Sequence, residues 1–168
     1  MLLKGVKVTM KNISKKLAYL LVCILLSVQI LPVCVYGEET EWYEMVEEDF
    51  ESTEISGSDI QPYMLYIMDV ITSITKISST KVGIRADVPC SATMKTITVT
   101  IYLQKSTGSS WVNVASQTLS SSNVSSTTKK VTVSGLSSGA YRGKVAVKVT
   151  DKYGYAETLT GYSGALTL

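Results

Sequence analysis

The chain has 168 residues, with 16 basic and 14 acidic residues, three cysteines and no histidine. Without histidine, it cannot form Ser-His-Asp or Cys-His nucleophile systems or histidine-based zinc sites. The sequence also contains no phosphate-binding loop and no dinucleotide-binding fingerprint. We therefore predict a protein that is not an enzyme and that uses no cofactor and no metal ion.

Residues 1–37 have the layout of a secretory signal peptide. Five lysines come before an apolar run from Leu17 to Leu31, and Pro32 ends this run. A charged region, an apolar region and small residues near the end are the three parts of such a signal. Val35 and Gly37 are small enough for the groove of a signal peptidase. We therefore place cleavage after Gly37 and predict a secreted, extracellular protein.

Two alternatives to cleavage remain open. The apolar run approaches the ~20 residues that span a bilayer, so an uncleaved segment would anchor the protein in the membrane, although Gln29 interrupts the run. A lipoprotein signal would place the lipid on Cys34, but Val33 is larger than the residue that such a signal carries there. Met10 is an alternative start to Met1. In the favoured interpretation, only this segment contacts the membrane, and only before cleavage.

Residues 38–61 are predicted to be an acidic, disordered linker. Residues 38–59 carry ten acidic residues and no Lys or Arg. Like charges repel and little apolar surface is available for burial, which favours disorder. Aromatic residues such as Trp42 and Phe50 leave an alternative open, because an acidic and aromatic segment can dock on a basic surface. The nearest such surface is the rest of the chain, since residues 60–168 carry four acidic and eleven basic residues.

Residues 62–168 are predicted to form an antiparallel β-sandwich. Val, Ile, Thr, Ser and Tyr dominate this segment, and apolar residues alternate with polar ones, which is typical of strands with one buried face. The clearest strand is Lys95–Lys105, where alternate residues are apolar. A turn at Ser106–Ser110 and a returning strand at Trp111–Leu119 complete a hairpin.

The other predicted strands are short and are separated by turn signals. Residues 67–77 combine helical spacing with a strand-like composition, and we favour a strand near Ser73–Ser78. The Ser/Thr-rich segment Ser116–Thr128 is expected to be a polar loop or edge. About seven strands in all are typical of a sandwich. The remaining strands are Lys81–Val88, Lys129–Ser134, Ala140–Thr150 and Ala156–Leu168. The residues expected to close the sheet in the last strand are Leu159, Ala165, Leu166 and Leu168.

The segment Gly135–Tyr141 leads directly into the alternating valines of the Ala140–Thr150 strand. It resembles the entry to strand F of fibronectin type III and immunoglobulin-like domains, where Leu, Gly and Tyr form a tyrosine corner. The resemblance implies a structural role for Tyr141, whose hydroxyl would bond to nearby backbone. The Cys…Trp…Cys signature of immunoglobulins is absent, so the likeness is to the Ig-like, fibronectin-III-like architecture.

A second set of short motifs extends over roughly residues 62–168. Its members are Pro62-Tyr63, Ile77-Ser78, Cys90, Tyr102-Leu103-Gln104-Lys105, Gly108, Trp111, Val114 and Tyr141. In these motifs the chain is similar to a family of small exported domains of unknown function from Gram-positive bacteria. The resemblance implies a sandwich fold, export and a cell-surface or secreted setting, and it brings no activity.

The reactive residues of the predicted domain do not form a recognisable catalytic set. Cys90 is the one cysteine that remains after the predicted cleavage, and we expect a small buried side chain rather than a nucleophile or an intermolecular link. Asp87 and Asp151 are interpreted as ordinary turn acids. A glycosidase needs two carboxylates placed about the scissile bond, and a calcium loop needs closely spaced oxygen ligands; the sequence shows neither pattern.

Arg142, Lys144 and Lys148 are the candidate ligand-binding residues. They alternate along one predicted strand and should share one face of the sheet, and Lys129 and Lys130 are candidates for extending the row. A basic face attracts polyanions, such as the anionic polymers of a cell wall. The competing interpretation is a solvated face that protects the sheet from aggregation. Nucleic acid is not expected as a ligand, because no aromatic residues for stacking on nucleobases interleave with these basic residues in the sequence.

A set of aromatic residues is the second candidate surface. Aromatic rings on a sandwich can stack on sugars, but Trp111, just after a hairpin turn, is expected to have a structural role at the core or an edge. The members of the set are Tyr102, Trp111, Tyr153, Tyr155 and Tyr162.

These features lead to two functional hypotheses. The favoured one is a secreted structural or protein-interaction module that joins other surface proteins through a sheet edge or face. The alternative is a cell-envelope ligand binder, which would use the basic face for an anionic wall polymer or the aromatic residues for a glycan.

Overall fold

The computed structural model describes residues 42–51, 55–57 and 64–168. These residues form an antiparallel all-β fold, as predicted, and none of them lies in a helix that could cross a membrane. The predicted signal segment, with its cleavage site at Gly37, lies outside the described residues. The strands are β1 (Met45–Glu47), β2 (Ile55–Gly57), β3 (Ile71–Lys76), β4 (Val82–Ser106), β5 (Trp111–Val133), β6 (Ala140–Thr150) and β7 (Ala156–Thr167).

The long strands β4 and β5 carry both layers of the fold. Residues 82–89 of β4 pair with β3 and with the end of β5, which gives a first layer in the order β1-β5-β4-β3-β2. Residues 94–106 of β4 pair with the start of β5 and with β6, and β6 pairs with β7. The second layer therefore has the order β5-β4-β6-β7, and the apolar residues of both layers are buried in one core.

A β-bulge separates the two halves of β4. Between Pro89 and Met94 the register shifts, so that residues 90–93 lie opposite a single residue of β5. Extra residues on one strand bend it and increase its twist. The bend brings the alternating apolar residues on either side of the bulge toward the same core.

The continuity of β4 and β5 corrects the sequence prediction. Lys81–Val88 and Lys95–Lys105 were expected as separate strands, as were Trp111–Leu119 and Lys129–Ser134, but each pair is one strand. The Ser/Thr-rich segment 116–128, expected as a polar loop or edge, is part of β5, whose first half is an edge strand of the second layer. Pro89 and the bulge interrupt the alternation of apolar residues in β4, but the pairing with β5 continues beyond them. A local sequence pattern looks the same whether a strand ends there or continues past a bulge.

The burial of β6 and β7 follows the predicted alternation up to a second bulge. Val145, Val147 and Val149 are buried, as expected. At this bulge, residues 163 and 164 of β7 lie opposite the single residue Gly143 of β6. This extra residue shifts the alternation by one, so Leu166 is buried but Ala165 is exposed, which corrects the expectation for Ala165.

Two glycines let the second layer approach the first closely. A Cβ atom on Gly161 of β7 would lie 2.6 Å from the carbonyl oxygen of Val70, which precedes β3, and one on Gly143 of β6 would lie 3.0 Å from Cγ2 of Ile84 in β4. Any larger residue at Gly161 would push β7 away from Val70. This close approach seals one side of the core.

Residues 42–51 and 55–57, hereafter the acidic strap, cross the first layer. β1 pairs with β5 at one edge of the layer and β2 pairs with β3 at the other. Between them, the Phe50 ring covers Gly83 on the outer face, since a Cβ atom on Gly83 would lie 2.7 Å from the ring. The prediction of a disordered linker is therefore wrong for these residues.

Charge and burial together explain why the acidic strap is ordered. Met45 is 8 % exposed and joins the core. Glu48 pairs with Lys81 at 2.6 Å, and Asp49 pairs with Lys130. The sequence left open the alternative that this acidic and aromatic segment docks on the basic part of its own chain, and the structure shows this docking for the strap.

We expect Phe50→Ala to lower the free energy of unfolding by about 1 to 2 kcal/mol, because the half-buried ring is lost from the face of Gly83. Urea denaturation followed by circular dichroism measures the change. Trp42→Ala is the matched control, since Trp42 is exposed and should change stability by less than about 0.5 kcal/mol. Equal effects of the two substitutions would contradict the packing role of Phe50.

The acidic strap should loosen as the pH falls. Hydrogen bonds from Lys81 and Thr132 lower the pKa of Glu48, and the hydrogen bond from Lys130 lowers the pKa of Asp49. A carboxyl group whose pKa is depressed by folding stabilises the fold above its unfolded pKa, and this stabilisation disappears as the pH falls through the folded value. Hydrogen exchange at the Val46 amide should therefore accelerate between about pH 5 and pH 2, after correction for intrinsic exchange.

The double variant Glu48→Gln, Asp49→Asn should remove most of this pH dependence. Glu44→Gln is the control, because Glu44 is exposed and forms no ion pair with another described residue. A pH profile that the double variant leaves unchanged would show that other groups hold the strap.

Candidate functional site

The outer face of the second layer carries the candidate site. Alternation along β6 buries Tyr141, Gly143 and Val145 and turns the residues between them outward. Arg142 lies opposite Gln104 of β4, and Lys144 lies opposite Tyr102 of β4 and Tyr162 of β7. We call this surface the cationic face; it consists of Arg142, Lys144, Lys148, Tyr102, Gln104, Trp111 and Tyr162.

The guanidinium group of Arg142 is held between two aromatic rings. Its central carbon lies 4.5 Å from the ring centroid of Trp111 and 4.7 Å from that of Tyr162. Its Nε donates a hydrogen bond of 2.8 Å to Oε1 of Gln104, and Nε2 of Gln104 donates to Oδ1 of Asn113 at 2.8 Å. Each cation–π contact is worth ~0.5–1 kcal/mol at exposed sites. These contacts fix the guanidinium, and no described residue accepts a hydrogen bond from its Nη groups, so these can donate to another acceptor.

The two lysines of the face are held less firmly. Nζ of Lys144 lies 5.4 Å from the ring centroid of Tyr102, and Lys148 is exposed beside Thr98 and Thr158. Along one strand, Arg142 and Lys144 are separated by about 7 Å, and Lys144 and Lys148 by about 13 Å. Within the described parts of the chain, no carboxylate forms an ion pair with these three cations.

The structure places Arg142, Lys144 and Lys148 together but does not add the other two lysines. Lys129 and Lys130 lie at the far end of β5, in the first layer, where they pair with Glu47 and Asp49 of the acidic strap. The proposed extension of the row is therefore wrong. The sequence could not reveal this, because the strap partners are distant in the chain.

The predicted aromatic set divides into two groups. Tyr102, Trp111 and Tyr162 contact the cations of the cationic face, so Trp111 packs on Arg142 rather than in the core. Tyr153 and Tyr155 lie at the turn between β6 and β7 and are exposed. No single platform for a sugar contains all five rings.

Tyr141 has a position that suits a structural role. The side chain is fully buried, and its hydroxyl donates a hydrogen bond of 2.9 Å to the carbonyl oxygen of Ser137. This is the backbone contact that the resemblance to a tyrosine corner implies. Nζ of Lys105 lies 5.7 Å from the ring centroid and donates to Oγ of Ser137 at 2.7 Å.

The carboxylates of the domain serve mainly to connect segments. Asp87 lies in β4, within the segment predicted as the Lys81–Val88 strand, and pairs with Arg85 at 2.8 Å. Asp151 does organise a turn, accepting hydrogen bonds of 2.8 Å from the amides of Tyr153 and Tyr155. Among the described residues, no group of three or more potential metal-ligating side chains comes together.

Glu157 is the residue that sequence reasoning missed. It is buried in β7 and accepts hydrogen bonds from the amides of Leu65, Tyr66 and Ile67, at 2.7 to 3.1 Å. It thereby joins the segment before β3 to β7. The sequence did contain a signal. Glu157 is two residues before Leu159, so the two side chains share the inward face of the strand.

Cys90 is buried, as expected, and burial raises the pKa of its thiol. A raised pKa reduces the thiolate fraction, which is the reactive form. Nothing at Cys90 points to nucleophilic chemistry.

Neither the models of known protein families nor the curated proteins include a match to this chain. The resemblance to small exported domains of Gram-positive bacteria therefore stays a prediction.

We expect Arg142→Gln to expose the Trp111 ring, because the stacked guanidinium is removed. The chain has two tryptophans, so a Trp42→Phe background makes Trp111 the single emitter. Acrylamide quenching of its fluorescence should rise in the variant. Lys148→Gln is the control and should leave quenching unchanged; equal quenching with and without Arg142 would contradict the stacked arrangement.

Proposed function

We propose that this chain is a secreted, non-enzymatic binding module that engages an anionic polymer through the cationic face. The observation that carries the proposal is the fixed guanidinium of Arg142, held by Trp111, Tyr162 and Gln104 with its Nη groups left over. A side chain that is already ordered loses less conformational entropy when it binds a ligand. Arg142 is thus prepared to contact a phosphate or carboxylate group, which guanidinium groups bind in a bidentate manner.

The distribution of charge favours a polymer over a small anion. Arg142, Lys144 and Lys148 lie in a line along β6, at separations of about 7 and 13 Å. A chain with repeated negative charges can meet all three, whereas a small anion can meet one or two. The acidic strap neutralises Lys81, Lys129 and Lys130 on the first layer, whereas the three cations of the face form no ion pair with a described residue.

The proposed setting follows from the sequence. The signal-like residues 1–37 and the resemblance to exported Gram-positive domains support a secreted or cell-surface protein, for which an anionic wall polymer is an available ligand. The alternating core and the Tyr141–Ser137 hydrogen bond support an Ig-like, fibronectin-III-like sandwich. Unlike two separate sheets, the layers here are joined through β4 and β5.

A structural or protein-interaction module remains the competing proposal. Pairing through an edge of the first layer has little support, because β1 and β2 already occupy both edges. A protein partner would instead have to pair with an edge of the second layer, β5 or β7, or present acidic groups to the cationic face. Such a partner is a folded surface rather than a repeating polymer, and the experiment below separates the two.

Co-sedimentation with isolated bacterial cell walls, with and without wall teichoic acid, tests the proposal. We expect binding that requires teichoic acid and weakens steadily as salt rises, since exposed charges are screened. The variant Arg142→Gln, Lys144→Gln, Lys148→Gln should bind at least about tenfold more weakly, equivalent to 1.4 kcal/mol or more.

A second variant with the same net charge tests whether binding depends on the cationic face or only on the total charge of the protein. Lys76→Gln, Lys81→Gln, Lys129→Gln removes the same charge from the first layer and should retain most of the binding. Equal losses in the two variants would refute the cationic face as the site. Absence of binding to all walls, combined with a reproducible crosslinked protein partner, would favour the protein-interaction module.

A further inference from the structure

The protein has a groove that contains no residue of the acidic strap. It has a volume of ≈ 470 Å³ and lies between the bulge of β4, the turn that joins β6 to β7, and Tyr66. Ligand pockets in proteins commonly have volumes of about 300 to 1,000 Å³. The groove shares no residue with the cationic face.

The wall formed by β4 is more irregular than the bend of the strand requires. One extra residue is enough for a β-bulge, yet residues 90–93 face a single residue of β5. Ala92 and Thr93 in this bulge line the groove, and Met94 forms part of its buried floor. Beside Lys95, on the neighbouring strand β5, Asn123 has φ 57°, in the left-handed region that is uncommon for residues other than glycine, although Asn adopts it more readily than most. Bulges and unusual backbone conformations are both enriched near binding sites.

Asp151 supplies a fixed hydrogen-bond acceptor on the opposite wall. It is 6 % exposed, and its Oδ1 accepts hydrogen bonds from the amides of Tyr153 and Tyr155. Its Oδ2 accepts one hydrogen bond of 2.9 Å, from the hydroxyl of Tyr66. A carboxylate oxygen has two acceptor sites, so Oδ2 can accept a second hydrogen bond. Burial alone would raise the pKa of Asp151, but the hydrogen bonds outweigh it and lower the pKa, which keeps the group ionised.

Tyr153 places an aromatic ring at the mouth of the groove. The residue is 82 % exposed, although its ring lies against Lys152, whose Nζ is 4.9 Å from the ring centroid. Behind it, Tyr66 and Tyr155 form an edge-to-face pair with centroids 5.9 Å apart. This pair and the two hydrogen bonds of Asp151 hold the turn that carries Tyr153. Lys95 adds a donor on the β4 side.

We propose that this groove binds a neutral pyranose unit of a glycan. A pyranose has an apolar C–H face, which suits the ring of Tyr153, and an edge of hydroxyl groups, which suits Asp151, Asn123 and Lys95. Lys95 and Lys152 would repel a cationic ligand, and the ionised Asp151 would repel an anionic ligand. The inference is independent of the proposed anionic polymer, because the two surfaces have no residue in common.

NMR titration of the purified ¹⁵N-labelled full chain tests the inference. The probes are the neutral oligosaccharides cellotetraose, chitotetraose and maltotetraose, at concentrations up to about 10 mM, tenfold above a millimolar dissociation constant. At least one should shift the backbone resonances of residues 92–95, 123 and 151–153. Tyr153→Ala should weaken that binding at least about tenfold, whereas Tyr153→Phe, which keeps the stacking ring, should retain it.

Tyr102→Ala is the matched control, because it removes a tyrosine from the cationic face and should leave oligosaccharide binding unchanged. Tyr153 is exposed, so its replacement should not unfold the chain, and the spectrum itself verifies the fold. The inference is overturned if no probe shifts the groove resonances. It is equally overturned if the shifts fall on the cationic face, or if Tyr153→Ala binds as the parent chain does. None of these outcomes alters the teichoic acid experiment, so the two proposals fail separately.

Discussion

Continuous pairing of β4 with β5 is the constraint on which the rest of the structure depends. The two strands remain hydrogen-bonded on both sides of the bulge at residues 90–93, so each contributes to both layers. β3 can then attach only before the bulge and β6 only after it. Burial of alternating apolar residues between the layers keeps the bent hairpin closed, since each fully buried aliphatic side chain contributes roughly 1.5–3 kcal/mol.

Irregularities in this otherwise regular sheet position both candidate sites. The bulge of β4 opens the groove beside Asp151, and the bulge opposite Gly143 bends β7 where Tyr162 reaches Arg142. The cationic face lies on strands, and the groove lies on strands and one short turn rather than on long loops. A binding surface built in this way keeps its side chains near one arrangement, which limits the entropy lost on binding.

The acidic strap forms ion pairs with the basic part of the same chain. Ten acidic residues precede a strongly basic segment, and several of them meet lysines of the first layer. Exposed ion pairs contribute little individually, so the buried Met45 and the Phe50 ring are needed to hold the strap in place. Its two short strands also cover both edges of that layer, which would otherwise be open to pairing with other chains.

Alternation along the sequence by itself determined the all-β class, the inward residues of β6 and the placement of Arg142, Lys144 and Lys148 on one face, because the direction of a strand side chain is a local property with a period of two. Only the tertiary structure decided that β4 continues past Pro89, that Ala165 turns outward, and that the strap is ordered. It also decided that Arg142 lies between Trp111 and Tyr162 and that Asp151 meets Tyr66. Each of these depends on pairing or contact between residues far apart in the chain, and no local pattern records which distant residues will meet.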